Sequence, residues 1–76
     1  MEKSFDSKLF NIQVASEVSG VSAHTIRAWE KRYGAITPQR NDTGKRLYNE
    51  HELDRLKTLA LLVNLGSSIS QIANLA

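Results

Sequence analysis

Residues 21–34 have the sequence VSAHTIRAWEKRYG, which has the pattern of a helix with two different sides. A helix advances by about 100° per residue, which places Ile26, Trp29 and Tyr33 on one side. The opposite side carries a mostly polar and basic set: His24, Arg27, Ala28 and Lys31. One side is therefore suited to a protein core, with Trp29 buried. The other has side chains that can meet bases and phosphates, as a DNA-recognition helix requires.

Signals for another helix precede this stretch. Asn11 is a good cap for a helix over residues 12–19, and Gly20 can end that helix in the left-handed conformation. Ser22 can cap the helix over residues 23–33. Two short helices joined by a tight turn that contains glycine form a helix-turn-helix.

Two short extended runs follow the helix-turn-helix. Residues 36–40 and 46–48 flank a segment rich in turn-forming residues, and this pattern predicts a β-hairpin. Pro38 suits an edge strand because proline has no N–H to donate to a neighbouring strand. A two-stranded ribbon after a helix-turn-helix is a wing.

The last third of the chain predicts two more helices. Asn49 and Glu52 have the spacing of a capping box, and they open a helix with an apolar stripe up to Leu65. Ser68 and Gln71 repeat that spacing and open a fourth helix that runs to Ala76. The predicted fold is mainly α, a winged helix-turn-helix of about four helices with a two-stranded β wing.

Length and composition favour one small domain with an uneven charge distribution. The chain has 76 residues, no cysteine and a net charge of +2. We expect a flexible arm over residues 1–9 and a single domain over residues 10–76. Residues 23–48 hold six basic and two acidic side chains, a net charge of +4, whereas the rest of the chain carries −2. This basic middle segment indicates a surface that faces a polyanion.

We assign candidate DNA contacts to two segments. Near the start of the recognition helix, side chains can reach the major groove, where Arg27 can bind guanine through two hydrogen bonds. The recognition-helix set is Ser22, Ala23, His24, Thr25, Arg27, Ala28 and Lys31. The wing set, expected on the DNA backbone or in the minor groove, is Arg40, Asn41, Lys45, Arg46 and Tyr48. Tyr48 is equally compatible with a phosphate contact and with a place in the core, and Glu30 is expected to form an ion pair.

The sequence predicts neither catalysis nor a bound metal. Residues 43–45, Thr-Gly-Lys, lack the earlier glycine of a phosphate-binding loop. His24 and His51 are far apart in the sequence, and the chain has no cysteine to join them as a metal ligand. No serine, histidine and carboxylate combine into a nucleophilic site. We therefore expect that the chain is not an enzyme and that this domain binds no cofactor.

Three motifs are similar to one protein family. Residues 19–22 (SGVS), 25–30 (TIRAWE) and 45–48 (KRLY) resemble the winged helix-turn-helix domain of MerR-family transcriptional regulators. The resemblance covers about residues 10–76. Ala28 stands where many members have the first of two aromatic residues, and this feature resembles the branch of the CarA, CarH, LitR and MlrA regulators.

The resemblance implies more than a fold. It implies base and phosphate contacts at His24, Arg27 and Lys31, and further contacts by the wing. It also implies the N-terminal module of a longer bacterial protein, a repressor that binds a dyad operator in double-stranded DNA as a homodimer or higher oligomer. Such a protein would be cytoplasmic and associated with the nucleoid, and cobalamin would bind in a separate C-terminal domain.

Two other functions fit the same residues. An excisionase-like architectural protein uses a similar small winged fold to bend DNA. A basic interaction module would instead dock an acidic protein partner on the surface formed by residues 23–48. We expect no membrane partner, because the longest apolar run, residues 59–63, is far too short to span a bilayer.

Overall fold

The computed structural model describes residues 8–74. Four helices and two strands follow one another along these residues: α1 Ile12–Ser19, α2 Ala23–Tyr33, β1 Gln39–Arg40, β2 Arg46–Leu47, α3 Glu50–Asn64 and α4 Ile69–Ile72. The two strands pair into an antiparallel sheet. This mainly helical architecture with a two-stranded wing confirms the predicted fold class. The predicted arm over residues 1–9 lies outside the described residues, apart from its last two.

The caps of the helix-turn-helix are those that the sequence predicts. The side-chain oxygen of Asn11 accepts a hydrogen bond from the Val14 N–H at 2.9 Å, and Ser22 Oγ accepts one from the Thr25 N–H at 3.1 Å. Gly20 ends α1 with a φ of 78°, in the left-handed region. Apart from Gly20 and its two neighbours in the chain, no residue has an atom within 4 Å of the place where a Gly20 Cβ would be. Backbone conformation, not crowding, is therefore the reason for glycine in this turn.

The wing is shorter than its sequence pattern predicts. Gln39 pairs with Leu47, and Arg40 pairs with Arg46. Pro38 lies just before β1, where its missing N–H costs no strand hydrogen bond. The tip is closed by the Asn41 side chain, whose oxygen accepts hydrogen bonds from the Thr43 N–H, the Thr43 hydroxyl and the Lys45 N–H at 2.8–3.0 Å. The turn is thus built around one side chain, in the manner of an Asx turn.

The predicted capping box of the third helix is confirmed. Asn49 and Glu52 exchange two hydrogen bonds, in which each backbone N–H donates to the other residue's side chain, at 2.9 and 2.8 Å. The helix ends at Asn64, next to Leu65 as its C-cap. No helix within residues 8–74 combines the length and apolar character that crossing a membrane requires.

The prediction for the fourth helix is wrong in two respects. Ser68 makes no capping hydrogen bond from its side chain; its Oγ lies 2.8 Å from the Ser70 Oγ. The helix also ends at Ile72, and residues 73 and 74 form a turn. Arg55 Nη2 donates to the Ala73 carbonyl at 2.8 Å, so a side chain from α3 binds this turn. The predicted end of the helix at Ala76 lies outside the described residues.

One hydrophobic core lies beneath α2 and joins every helix. Tyr48, Ile26 and Leu56 are its largest fully buried side chains, and Trp29 is 7% exposed, as the helical pattern predicts. The complete set of buried residues is Ala15, Val21, Ile26, Trp29, Ala35, Ile36, Tyr48, Leu53, Leu56, Leu59, Ala60, Ile72 and Ala73. Because Ile26 and Trp29 face this core, the opposite side of α2 faces outward.

Candidate nucleic-acid interface

The outward side of α2 presents the predicted recognition residues together. His24, Arg27 and Lys31 are exposed, and Ala28 between them is partly covered. Together with Arg32 and Arg46 they line a shallow depression of about 360 Å³. Ala23 is partly buried at the start of the helix. Because the small residue Ala28 lies at the centre of this basic surface, a flat molecule can approach the helix backbone closely.

The two hydroxyls at the start of α2 are already paired. Ser22 Oγ caps the helix and also donates to Thr25 Oγ1 at 2.9 Å. Ser22 is exposed and Thr25 is partly buried. Both residues lie at the N-terminal end of the helix, where orphan N–H groups and the helix dipole favour an anion.

A second cleft joins the recognition helix to the wing. It has a volume of about 550 Å³ and is lined by Asn11, Ile12, Gln13, Arg27, Asn41, Gly44, Lys45, Arg46 and Leu47. Arg27 and Arg46 also line the depression on α2, so the two concave surfaces are continuous. Asn11 and Gln13 were not among the predicted contacts. The signal that could have found them is their place at the start of α1, since the first helix of a helix-turn-helix crosses the DNA backbone.

The polar side chains of the wing are mostly engaged with the protein. Arg40 Nη1 donates to the Gly44 carbonyl at 2.9 Å, and Asn41 organises the turn. Arg46 Nε donates to Glu30 Oε1 at 2.5 Å, and Arg40 Nη2 lies 3.5 Å from Glu30 Oε2. Glu30 therefore forms the expected ion pair, with two partners. Lys45 is exposed at the tip.

Tyr48 is placed in the core and not on the surface of the wing. Its side chain is 0% exposed, and no described residue gives its hydroxyl a hydrogen-bond partner. Burial raises the pKa of the Tyr48 phenol, while the charge of nearby Arg46 opposes the shift. Its inclusion among the wing contacts is wrong, because a side chain so enclosed cannot reach a phosphate.

Comparison with known proteins identifies the family. Residues 10–76 match the family described as MerR HTH family regulatory protein. The chain belongs to this family. Its relatives are transcriptional regulators, which confirms that the chain is not an enzyme and favours a regulator over the excisionase-like alternative.

Two relatives come from the branch that the sequence predicts. The chain is 41% identical to the HTH-type transcriptional repressor CarH of Myxococcus xanthus over 68 residues, which are 90% of this chain and 23% of CarH. It is 33% identical to the HTH-type transcriptional regulator MlrA of Escherichia coli over 64 residues, 84% of this chain and 26% of MlrA. The MerR-family chain thus spans about a quarter of the length of these relatives.

A solved structure shares the fold. It is the crystal structure of HiNmlR, a MerR family regulator lacking the sensor domain, bound to promoter DNA. The two folds superpose with a TM-score of 0.74 at 29% sequence identity, over 87% of this chain and 52% of that chain. The arrangement of α1, α2 and the wing is therefore that of a MerR-family domain.

Proposed function

We propose that this MerR-family domain binds duplex DNA, with α2 in the major groove and the wing on the adjacent backbone or minor groove. One observation carries the proposal: the exposed side of α2 and the cleft beside the wing form one continuous basic surface, and Arg27 lines both parts. A continuous surface of this sign can follow the phosphates on either side of a groove. The structural relative HiNmlR is bound to promoter DNA, which supports the proposal that this domain binds duplex DNA.

The exposure of each side chain suggests its role. Arg27 and His24 would reach base edges, and Ala28 would permit close approach of the helix. Lys31 would contact phosphate, with Ser22, Ala23 and Thr25 at the start of the helix, where an anion is favoured.

In the wing, the exposed residues Arg40, Asn41 and Lys45 would contact the DNA backbone. Arg46 is half-buried against Glu30 and has a different role.

At the level of the whole regulator we propose a repressor that acts on a dyad operator as a dimer. CarH, a relative at 41% identity, is a transcriptional repressor. Two domains that bind two half-sites together gain affinity that a single small domain lacks. Such a regulator would work in the bacterial cytoplasm, where the DNA lies. The cobalamin domain implied by the resemblance stays a prediction, since it concerns a separate domain.

The salt dependence of duplex binding tests the DNA proposal. Fluorescence anisotropy with a labelled random-sequence duplex should give a linear fall of log K with log salt, with a slope of about −0.9 per phosphate for roughly 4 to 6 phosphates. Lys31→Ala should make this slope shallower by about 0.9. Lys57→Ala, an equal change of charge on α3, should leave it unchanged.

The same titration decides between DNA and an acidic protein as the partner. A flat salt response, or no binding at low salt, would contradict the proposal and leave the protein-docking alternative. An equal effect of Lys31→Ala and Lys57→Ala would show that general charge, and not the surface around α2, holds the duplex.

A further inference from the structure

One carboxylate joins the recognition helix to both strands of the wing. Glu30 Oε1 accepts a hydrogen bond from Arg46 Nε at 2.5 Å, and its Oε2 lies 3.5 Å from Arg40 Nη2. Arg40 in β1 and Arg46 in β2 are paired directly across the sheet. In the described part of the chain, both side-chain hydrogen bonds between α2 and the strands end on Glu30.

The wing needs such an anchor. Each of its strands has two residues, and an isolated two-stranded hairpin is marginally stable at best in water. The hydrogen bonds of Asn41 shape the tip from within, but they do not fix the hairpin against α2. The contact with Glu30 does so from a helix that the core holds rigidly.

Charge makes the anchor stronger than an ordinary surface pair. Two arginines opposite each other in a sheet repel, and the carboxylate between them offsets that repulsion. The side chains of Arg46 and Glu30 are 21% and 20% exposed, whereas that of Arg40 is 48% exposed. The Glu30–Arg46 pair is therefore less screened by solvent and salt than the contact with Arg40.

We propose that Glu30 is a positioning residue for DNA binding, which fixes the wing against the recognition helix and offsets the charge of Arg46, so that this guanidinium neutralises no phosphate. The proposal rests on the proposed function, because it assumes that this face meets DNA. Arg40 and Lys45 are then the basic wing residues that contact the backbone, and Arg46 holds the wing in place. A wing that is already ordered loses less conformational freedom when DNA binds.

The test compares the salt dependence of random-duplex binding in the wild-type chain and in Glu30→Gln. Glutamine keeps the size of the side chain and removes the charge that holds Arg46. The released guanidinium is expected to neutralise one more phosphate, so the slope of log K against log salt becomes steeper by about 0.9. The double variant Glu30→Gln/Arg46→Gln should return to the wild-type slope, because the added contact belongs to Arg46.

Asp54→Asn is the matched control. It makes the same change in net charge on α3, at a carboxylate that is 74% exposed and paired with Lys57 at 3.6 Å, and it should not alter the slope. An unchanged slope in Glu30→Gln would overturn the proposal. A steeper slope that persists in the double variant would also overturn it, because the gain would not come from Arg46. If the wild-type chain binds no duplex, the proposed function fails and this proposal falls with it.

NMR spectroscopy tests the proposal in the wild-type chain, independently of how any variant folds. The Nε–H signal of Arg46 should be protected from exchange in the free protein and should keep its chemical shift when random duplex is added. The signals of Lys45 should move in the same titration. An unprotected Arg46 Nε–H, or a shift as large as that of Lys45, would overturn the proposal by showing that Glu30 does not hold Arg46.

Discussion

The recognition helix and the wing present basic side chains to the same face, but they are held in different ways. The buried side chains of Ile26 and Trp29 fix α2 from below. Within residues 8–74, the outward side chains of His24, Arg27 and Lys31 make no hydrogen bond or ion pair. In the wing the polar side chains of Arg40 and Arg46 themselves supply the anchor to α2.

This difference shows how a small domain divides its side chains between structure and recognition. Where a core can hold an element, its outward residues are free to meet a partner. Strands of only two residues have little contact with the core, so polar side chains must hold them in place before they can contact a partner. Substitutions on the buried side of α2 should therefore affect stability, and those at His24, Arg27 and Lys31 on its outward side should affect binding, whereas substitutions at Glu30 and in the wing should affect both.

The largest expected effect comes from the buried side of α2. Ile26 is 0% exposed, so Ile26→Ala should lower the free energy of unfolding by about 2 to 5 kcal/mol, through lost burial and the cavity that remains. Arg27→Ala, at the next position on the outward side, should change it by no more than about 0.5 kcal/mol. Urea denaturation followed by circular dichroism measures both. Similar losses from the two variants would mean that α2 is not held by one side alone.

A smaller effect separates base contacts from phosphate contacts on the outward side. Arg27→Ala should cost roughly 1 to 3 kcal/mol of binding to the preferred sequence and relax the choice at one base pair. Lys31→Ala should weaken binding to every duplex alike. Selection from a randomised duplex library, followed by affinities for single-base variants of the enriched sequence, measures the two cases. Uniform loss on all sequences from both variants would remove Arg27 from its proposed role.

The smallest effect concerns Tyr48, which is predicted among the wing contacts but is buried in the core. Its buried hydroxyl has no described partner, so Tyr48→Phe should change stability by no more than about 1 kcal/mol, in the stabilising direction. A loss of 1 kcal/mol or more in thermal or urea unfolding would show that the hydroxyl has a partner after all.

Tyr48 also predicts a dependence of stability on pH. Its pKa is raised above the usual 10.0 in the folded protein, so the unfolded chain releases the phenol proton first as pH rises. The wild-type free energy of unfolding should therefore fall above about pH 10, and Tyr48→Phe should lack this part of the fall. Parallel curves for the two proteins would contradict the raised pKa.

Local sequence signals predict the helices and strands well, whereas contacts between distant residues account for the features that these signals do not predict. Asn11, Ser22 and the Asn49–Glu52 pair cap helices through neighbours within three residues, so spacing alone reveals them. The link between Glu30 and Arg46 spans 16 positions, and periodicity carries no information about it. The prediction of which side of α2 is buried is confirmed, because it depends only on the local helical period.

Non-local contacts also explain the errors at Tyr48 and α4. Tyr48 exchanges two backbone hydrogen bonds with Phe10 at 2.8 Å, and this bridge fixes the end of the wing over the core. The turn after α4 receives a hydrogen bond from Arg55, 18 positions earlier. In each case a partner far along the chain sets the local conformation, and the residue pattern around the site is compatible with more than one outcome.

Chemical-shift mapping shows whether α2 and the wing meet one duplex together. When random duplex is added to the ¹⁵N-labelled chain, we expect the amide signals of residues 22–31 and 41–45 to shift together along a single binding curve. The signals of residues 61–74 should stay in place. Shifts confined to the wing, or larger shifts in residues 61–74 than in α2, would contradict this joint contact.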